Sequence, residues 1–95
     1  MVAWKEHERA IAHRLGGVRT GPSGREGPDI SHPRYAIECK ESRDPLPQWL
    51  RGAINQVVSG APKDKLPMVI FHVVGDKHDE DLVVIRLVDF ERFID

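Results

Sequence analysis

The segment 68–74 (MVIFHVV) is apolar at every position except His72. A helix that spans a bilayer needs about 18 or more predominantly apolar residues, and no apolar run in this chain approaches that length, so we expect no membrane segment. A run of strand length between Pro67 and Gly75 is typical of a strand that is buried on both faces. We therefore predict that Met68–Val74 is the central strand of a sheet.

The rest of the chain alternates between helical and strand spacing. Apolar residues at helical spacing predict a helix over Val2–Leu15 that ends at Gly16-Gly17, and a second helix over Gln48–Ser59. The remaining segments with strand character are Val18–Thr20, Asp29–Ser31, Tyr35–Lys40 and Leu82–Leu87. Asp89 is predicted to cap a short last helix, Phe90–Ile94. This order predicts an α/β fold with a single mixed sheet flanked by helices.

Composition limits the classes of protein to which this chain can belong. Ninety-five residues with 40% apolar side chains predict a single domain over residues 1–95. A lone cysteine, Cys39, excludes an intrachain disulfide framework and fits a reducing, cytoplasmic compartment. The net charge is −1, but residues 1–65 carry eleven Lys and Arg against eight Asp and Glu, whereas residues 66–95 carry three against seven. A polyanion would therefore contact the first two-thirds of the chain, although an ordinary variation of a solvated surface is the alternative.

Three charged residues form the first candidate site. Alternate residues of a strand share a face, so Glu38 and Lys40 point the same way. Asp29 precedes them by one short hairpin, which would bring its carboxylate close to that of Glu38. Two adjacent carboxylates repel each other unless a cation lies between them, and hard oxygen ligands favour Mg²⁺ or Mn²⁺. The alternative is an exposed Glu–Lys pair, with Asp29 only starting a turn.

Two further polar residues extend this site. Glu8 falls on the apolar face of the first helix, where a carboxylate is costly unless it is paired or binds a cation. Gln56, near the apolar face of the second helix, could hydrogen-bond an attacking water or a phosphate. The alternatives are a boundary Glu8 that reaches water and a Gln56 with a routine backbone partner. The five histidines show no spacing typical of a metal site, so we expect no zinc site. Cys39 is interpreted as a small buried residue.

Glu8, Pro28-Asp29 and Glu38-Cys39-Lys40, in this order, resemble the PD-(D/E)XK nuclease superfamily. The resemblance extends through Gln56 and implies the restriction-endonuclease-like fold, with its αβββαβ core. Glu8-Arg9, the glycine-rich loop with Ser23 and the ECK triplet are most similar to archaeal-type Holliday-junction resolvases and their small phage relatives. Those resolvases are usually strongly basic, and this chain departs from them in being near neutral.

The resemblance implies a role for each residue. Asp29 and Glu38 would hold Mg²⁺, for which Mn²⁺ could substitute, with Glu8 and the carbonyl of Cys39 as further ligands. Lys40 would position the attacking water and neutralise charge on the scissile phosphate, with Gln56 as a helper. The residues expected to contact DNA phosphates are Arg19, Ser23 and Arg25 on the flexible loop, together with Arg43 and Arg51.

The sequence therefore predicts a Mg²⁺-dependent endodeoxyribonuclease that acts as a homodimer on DNA, branched or nicked, in phage or bacterial DNA metabolism. A resolvase-like or nicking enzyme is expected, in the bacterial or phage-infected cytoplasm. One alternative is a DNA-binding or assembly module that keeps the fold without catalysis. Another is an unrelated α/β domain in which the ECK triplet is coincidental and Glu8 lies far from Asp29 and Glu38.

Overall fold

The structure is a computed structural model that describes residues 3–20 and 27–94. The expected single domain consists of two compact units, Met1–Asp44 and Pro45–Asp95. The boundary lies in the segment 43–47, where two prolines interrupt the chain. Helices and short strands occur in both units, so the broad α/β class is confirmed. Within the described residues, none of the helices has the length and apolar character needed to cross a membrane.

The first unit begins with helix α1, Ala3–Leu15. The predicted glycine stop is confirmed: Gly16 has a φ of +76°, and the amide of Gly17 donates to the carbonyl of Ala12 at 2.8 Å. A left-handed glycine followed by this hydrogen bond is the Schellman ending of a helix. The buried face of α1 contains Glu8 and Ala12, whereas Trp4 is 46% exposed, so the apolar stripe is shorter at its start than the spacing predicted.

A three-stranded antiparallel sheet follows α1. Its strands are β1, Val18–Arg19; β2, Ile30–Ser31; and β3, Ala36–Ile37. Ile30 pairs with Arg19 on one side and with Ile37 on the other, and it is completely buried. The predicted hairpin between β2 and β3 is confirmed, although the regular strands are shorter than expected and Glu38, Cys39 and Lys40 lie just beyond β3.

Helix α1 and the sheet meet at Gly17. A Cβ atom built on Gly17 would lie 2.6 Å from Cγ2 of Ile30 and 2.9 Å from the carbonyl oxygen of Ser31. Both distances are shorter than side chains tolerate, so glycine is required by the close approach of β2. The chain therefore leaves α1 directly over the most buried residue of the sheet.

The second unit contains helix α2, Gln48–Gly60; strand β4, Val69–Phe71; a 3₁₀ helix, His78–Glu80; strand β5, Leu82–Val84; and helix α3, Leu87–Phe93. Strands β4 and β5 form a separate antiparallel pair. Helix α2 packs on β4, and the ring of Trp49 stacks on that of Phe71 with 5.1 Å between centroids.

Three sequence predictions about the fold are wrong. The described strands form two small sheets, so the single mixed sheet is not observed. Strand β4 is not central and buried, because β5 is its one partner among the described residues and Ile70 is 53% exposed. Asp89 does not cap α3, which begins at Leu87: its buried carboxylate instead accepts hydrogen bonds of 2.6 and 3.1 Å from Arg86, which precedes the helix.

We expect Gly17→Ala to lower the free energy of unfolding by about 1–3 kcal/mol, because the added methyl group overlaps a buried side chain and a sheet carbonyl. Urea unfolding followed by circular dichroism measures the change. The matched control is Gly52→Ala in α2, where the new Cβ meets no atom within 4 Å and alanine favours the helix by up to about 1 kcal/mol. Equal stability of the two variants would contradict the close packing of Gly17 on β2.

Candidate active site

One hydrogen bond joins the two halves of the predicted motif. The amide of Cys39 donates to Oδ2 of Asp29 at 2.8 Å. The backbone of Asp29 is fixed from the other side, since its carbonyl accepts from the amide of Thr20 at 3.0 Å. The Thr20 hydroxyl also donates to the carbonyl of Pro28 at 2.8 Å. Asp29 is therefore fixed between the end of β1 and the residues that follow β3.

The strand register brings the chain at Asp29 towards the residues that follow β3. Ser31 pairs with Ala36 and Ile30 with Ile37, so the next step of the same register would set Asp29 opposite Glu38, where side chains are neighbours. The contact that forms joins Asp29 to the next residue along, because its side chain accepts from the amide of Cys39. That the carboxylates of Asp29 and Glu38 meet stays a prediction.

Glu38 and Lys40 lie on the same side of the chain, as predicted. Lys40 Nζ is 3.7 Å from Glu38 Oε2, and both side chains are exposed, by 83% and 59% respectively. An exposed pair at this distance contributes little to stability. The pair is of interest for its chemistry, because it exposes an ammonium group and a carboxylate together to solvent.

The pKa of the Cys39 thiol depends on the charges around it. Burial raises the pKa of the Cys39 thiol, and the carboxylates of Asp29, Glu8 and Glu38 raise it further, in that order. Each carboxylate opposes the formation of a second negative charge nearby. The three predicted acidic ligands are thus close enough to act on one atom. Cys39 itself is half-buried rather than fully buried.

Glu8 already has a cationic partner. Its Oε1 accepts from Nε of Arg19 at 3.1 Å, and the two side chains are only 10% and 24% exposed. A carboxylate on the buried face of α1 is stabilised by this ion pair. Arg19 lies in β1, so its predicted place on the flexible loop is wrong, and its guanidinium faces Glu8 rather than a free surface.

The carboxylates of Asp29, Glu8 and Glu38 lie near Cys39, but their oxygen atoms do not meet at one point. Among the described residues, the one group of three His, Cys, Asp or Glu ligand atoms that lie within 4.8 Å of one another is formed by His72, His78 and Asp81. A cation held by Asp29, Glu38 and Glu8 together would therefore need their side chains to move closer to one another. The exposed Glu38 side chain is free to do so.

A shallow cleft of about 540 Å³ lies beside Lys40. It is lined by His7, Lys40, Glu41, Ser42 and Arg43. Arg43 was predicted to contact DNA, and its position in the same cleft as Lys40 fits a phosphate that approaches the site. His7 was not predicted to belong to the site. Its position next to Glu8 on α1 could have indicated it.

The other predicted residues belong to the second unit or fall outside the described residues. Arg51 and Gln56 occupy exposed positions on α2, in the second unit, so the first unit alone supplies Glu8, Asp29, Glu38 and Lys40. Ser23 and Arg25 lie outside the described residues. The expectation of no zinc site rested on sequence spacing, whereas the fold of the second unit brings two histidines and an aspartate together.

Comparisons of the chain with known protein families, with curated proteins and with solved structures find no match. Function must therefore be inferred from the geometry of these residues.

Asp29→Asn and Glu38→Gln should each lower the pKa of the Cys39 thiol, because each removes a negative charge that disfavours the thiolate. The rate of alkylation by iodoacetamide as a function of pH measures this pKa. Glu6→Gln is the matched control, since Glu6 is exposed on α1 and is not among the carboxylates that raise the pKa. A thiol pKa that is the same in all four proteins would contradict the placement of Asp29 and Glu38 around Cys39.

Proposed function

We propose that the chain is a Mg²⁺-dependent endodeoxyribonuclease of the PD-(D/E)XK type, with its site in the first unit. The observation that carries the proposal is the hydrogen bond that joins the Asp29 carboxylate to the amide of Cys39, next to the Glu38–Lys40 pair. An acidic cluster next to an exposed lysine and a cleft with an arginine is suited to the hydrolysis of a phosphodiester.

The donor set fits a hard divalent cation. Asp29 and Glu38 offer carboxylate oxygens, which Mg²⁺ and Mn²⁺ prefer. After burial, the carboxylates of Asp29, Glu8 and Glu38 are what raises the pKa of the Cys39 thiol, and their negative charges would attract a cation. Asp29 and Glu38 would hold the ion together with the carbonyl of Cys39, and Glu8 would contribute from the side of α1. When bound, Mg²⁺ supplies Lewis-acid stabilisation of charge that develops on the phosphate.

Lys40 has the position of a phosphate-binding cation. Its ammonium is 83% exposed and opens onto the cleft shared with Arg43 and His7. In the proposed reaction a water attacks the phosphorus, one P–O bond breaks, and the leaving oxygen takes up a proton. Lys40 orients that water and offsets the negative charge that builds up on the phosphoryl oxygens. The ammonium of Lys40 lies 3.7 Å from Glu38 Oε2.

Arg43 is the described residue that best fits a further phosphate contact, because it shares the cleft of Lys40. Ser23, Arg25 and Arg51 remain proposed contacts, and Gln56 a proposed helper. Arg19 is a weaker DNA contact than the sequence suggested, since it is paired with Glu8. Few cations in contact with phosphates lead to weak binding to DNA, with a shallow dependence on salt.

A homodimer is part of the proposal, because it would present two sites to two strands. The pair β4–β5 offers a face for it: Ile70 and Val83 lie opposite each other and are 53% and 57% exposed. Self-complementary apolar faces of this kind suit a two-fold interface. A resolvase-like or nicking role in phage or bacterial DNA metabolism is the proposed biological setting.

The Glu8–Arg19 ion pair favours a second candidate, a DNA-binding or assembly module that keeps the fold without catalysis. A carboxylate that is already neutralised by Arg19 needs no metal. In that case Lys40 and Arg43 would contact phosphates, and no strand would be cut.

The proposed nuclease should cut DNA in Mg²⁺ or Mn²⁺ and not in EDTA. Supercoiled plasmid, linear duplex, single strand and a four-way junction are the substrates, and the preferred one identifies a resolvase, a nicking enzyme or an exonuclease. Asp29→Asn and Lys40→Ala should each slow cleavage by about 100-fold or more, because each removes a group that stabilises charge at the reacting phosphate.

Matched controls are Glu6→Gln and Lys65→Ala, which remove the same charges at exposed positions that are not among the proposed site residues. These controls should cut as the parent does. Intact substrates in both metals, with retained DNA binding, would favour the binding module over the enzyme. Cleavage by Asp29→Asn and Lys40→Ala at the parental rate would show that the proposed site is wrong.

A further inference from the structure

Two histidines and one aspartate meet at one end of the β4–β5 pair. They are His72, which follows β4; His78, the first residue of the 3₁₀ helix; and Asp81, which precedes β5. We propose that this cluster, named the His72–His78–Asp81 site, binds a transition-metal ion of the Zn²⁺ type. The proposal does not rest on the proposed nuclease function, since none of the three residues belongs to that site.

The strand register accounts for the meeting of His72 and Asp81. Phe71 pairs with Leu82, so the next step outward sets His72 opposite Asp81, nine residues along the chain. The connection between them returns through a turn at Gly75, which has a φ of +98°, a conformation that favours glycine. The 3₁₀ helix then places His78 one turn from Asp81, whose amide donates to the His78 carbonyl at 3.0 Å.

The ligand atoms are close enough to share one ion. His72 Nδ1 is 2.6 Å from Oδ1 of Asp81, and His78 Nδ1 is 3.0 Å from Oδ2 of the same carboxylate. One ligand atom from each residue lies within 4.8 Å of the other two. Ligands of a tetrahedral zinc ion lie about 3.3 Å apart. His78 is 84% exposed, so rotation of its side chain can close the remaining gap.

The hydrogen bonds of the cluster already direct both rings to one carboxylate. The Nδ1 atoms of His72 and His78 both face Asp81, and the ring centroids are 4.4 Å apart. A neutral imidazole with its proton on Nε2 keeps a lone pair on Nδ1. In the proposed site, one divalent cation would replace the two hydrogen bonds and bind both Nδ1 atoms and the Asp81 carboxylate.

The donor set selects the kind of metal. Two imidazole nitrogens and one carboxylate oxygen suit Zn²⁺, Co²⁺, Ni²⁺ or Cu²⁺ rather than Mg²⁺. Three protein ligands leave a fourth position for water. This chemistry differs from that of Asp29 and Glu38, which offer oxygen alone. A bound ion would also join the two ends of the loop between β4 and β5.

Equilibrium dialysis against Zn²⁺ at pH 7.5 tests the site. The parent chain should bind one Zn²⁺ that His78→Ala and Asp81→Asn each weaken by about tenfold or more. His13→Ala, which removes an exposed histidine from α1, is the matched control and should bind as the parent does. Asp29→Asn should also keep the Zn²⁺, which separates this site from the proposed nuclease site. Affinity should fall at pH 5.5, where protons compete for the imidazoles.

The folding of His78→Ala is checked by circular dichroism, and its high exposure predicts an unchanged spectrum. Thermal unfolding gives a second readout: Zn²⁺ should raise the Tm of the parent and of His13→Ala, and leave that of His78→Ala unchanged. A parent chain that binds no Zn²⁺ at micromolar concentrations overturns the proposal. So does a His78→Ala variant that binds Zn²⁺ as tightly as the parent.

Discussion

The hydrogen bond from the amide of Cys39 to Asp29 Oδ2 is the contact on which the first unit's candidate site depends. It ends the regular pairing of β2 with β3 and attaches the ECK segment to the Pro28-Asp29 corner. Thr20 holds the same corner through the backbone of Asp29, and the completely buried Ile30 lies one residue further on. The backbone that carries the candidate side chains is therefore supported by the most buried part of the unit, while the side chains of Glu38 and Lys40 stay exposed.

Local charge, more than net charge, determines what this surface can bind. Burial, and then three carboxylates, raise the pKa of the Cys39 thiol in a chain whose net charge is only −1. Glu8 is paired with Arg19, and Glu38 lies near Lys40, whereas Asp29 accepts a hydrogen bond from the amide of Cys39. In the proposed site, a bound Mg²⁺ at Asp29 would turn an acidic corner into one that accepts phosphate.

Local patterns predicted the elements better than the way in which they assemble. Helical spacing and the Gly16-Gly17 stop gave α1 nearly to the residue, and turn residues gave the β2–β3 hairpin. The apolar run at 68–74 indicated a strand, but periodicity cannot distinguish burial on two faces from burial on one, and β4 is covered on one face. The sequence also did not indicate which residues pair with Glu8 and His72. Arg19 and Asp81 approach them only through pairing across a sheet or a turn.

The central claim is that a divalent cation binds among the carboxylates around Cys39, and the most direct measurement is the pKa of the Cys39 thiol with and without Mg²⁺. A cation at Asp29 and Glu38 offsets the charges that disfavour the thiolate, so Mg²⁺ should lower the thiol pKa relative to NaCl of equal ionic strength. The same addition should have no effect in Asp29→Asn combined with Glu38→Gln. A thiol pKa in the parent that does not respond to saturating Mg²⁺ or Mn²⁺ would contradict the account.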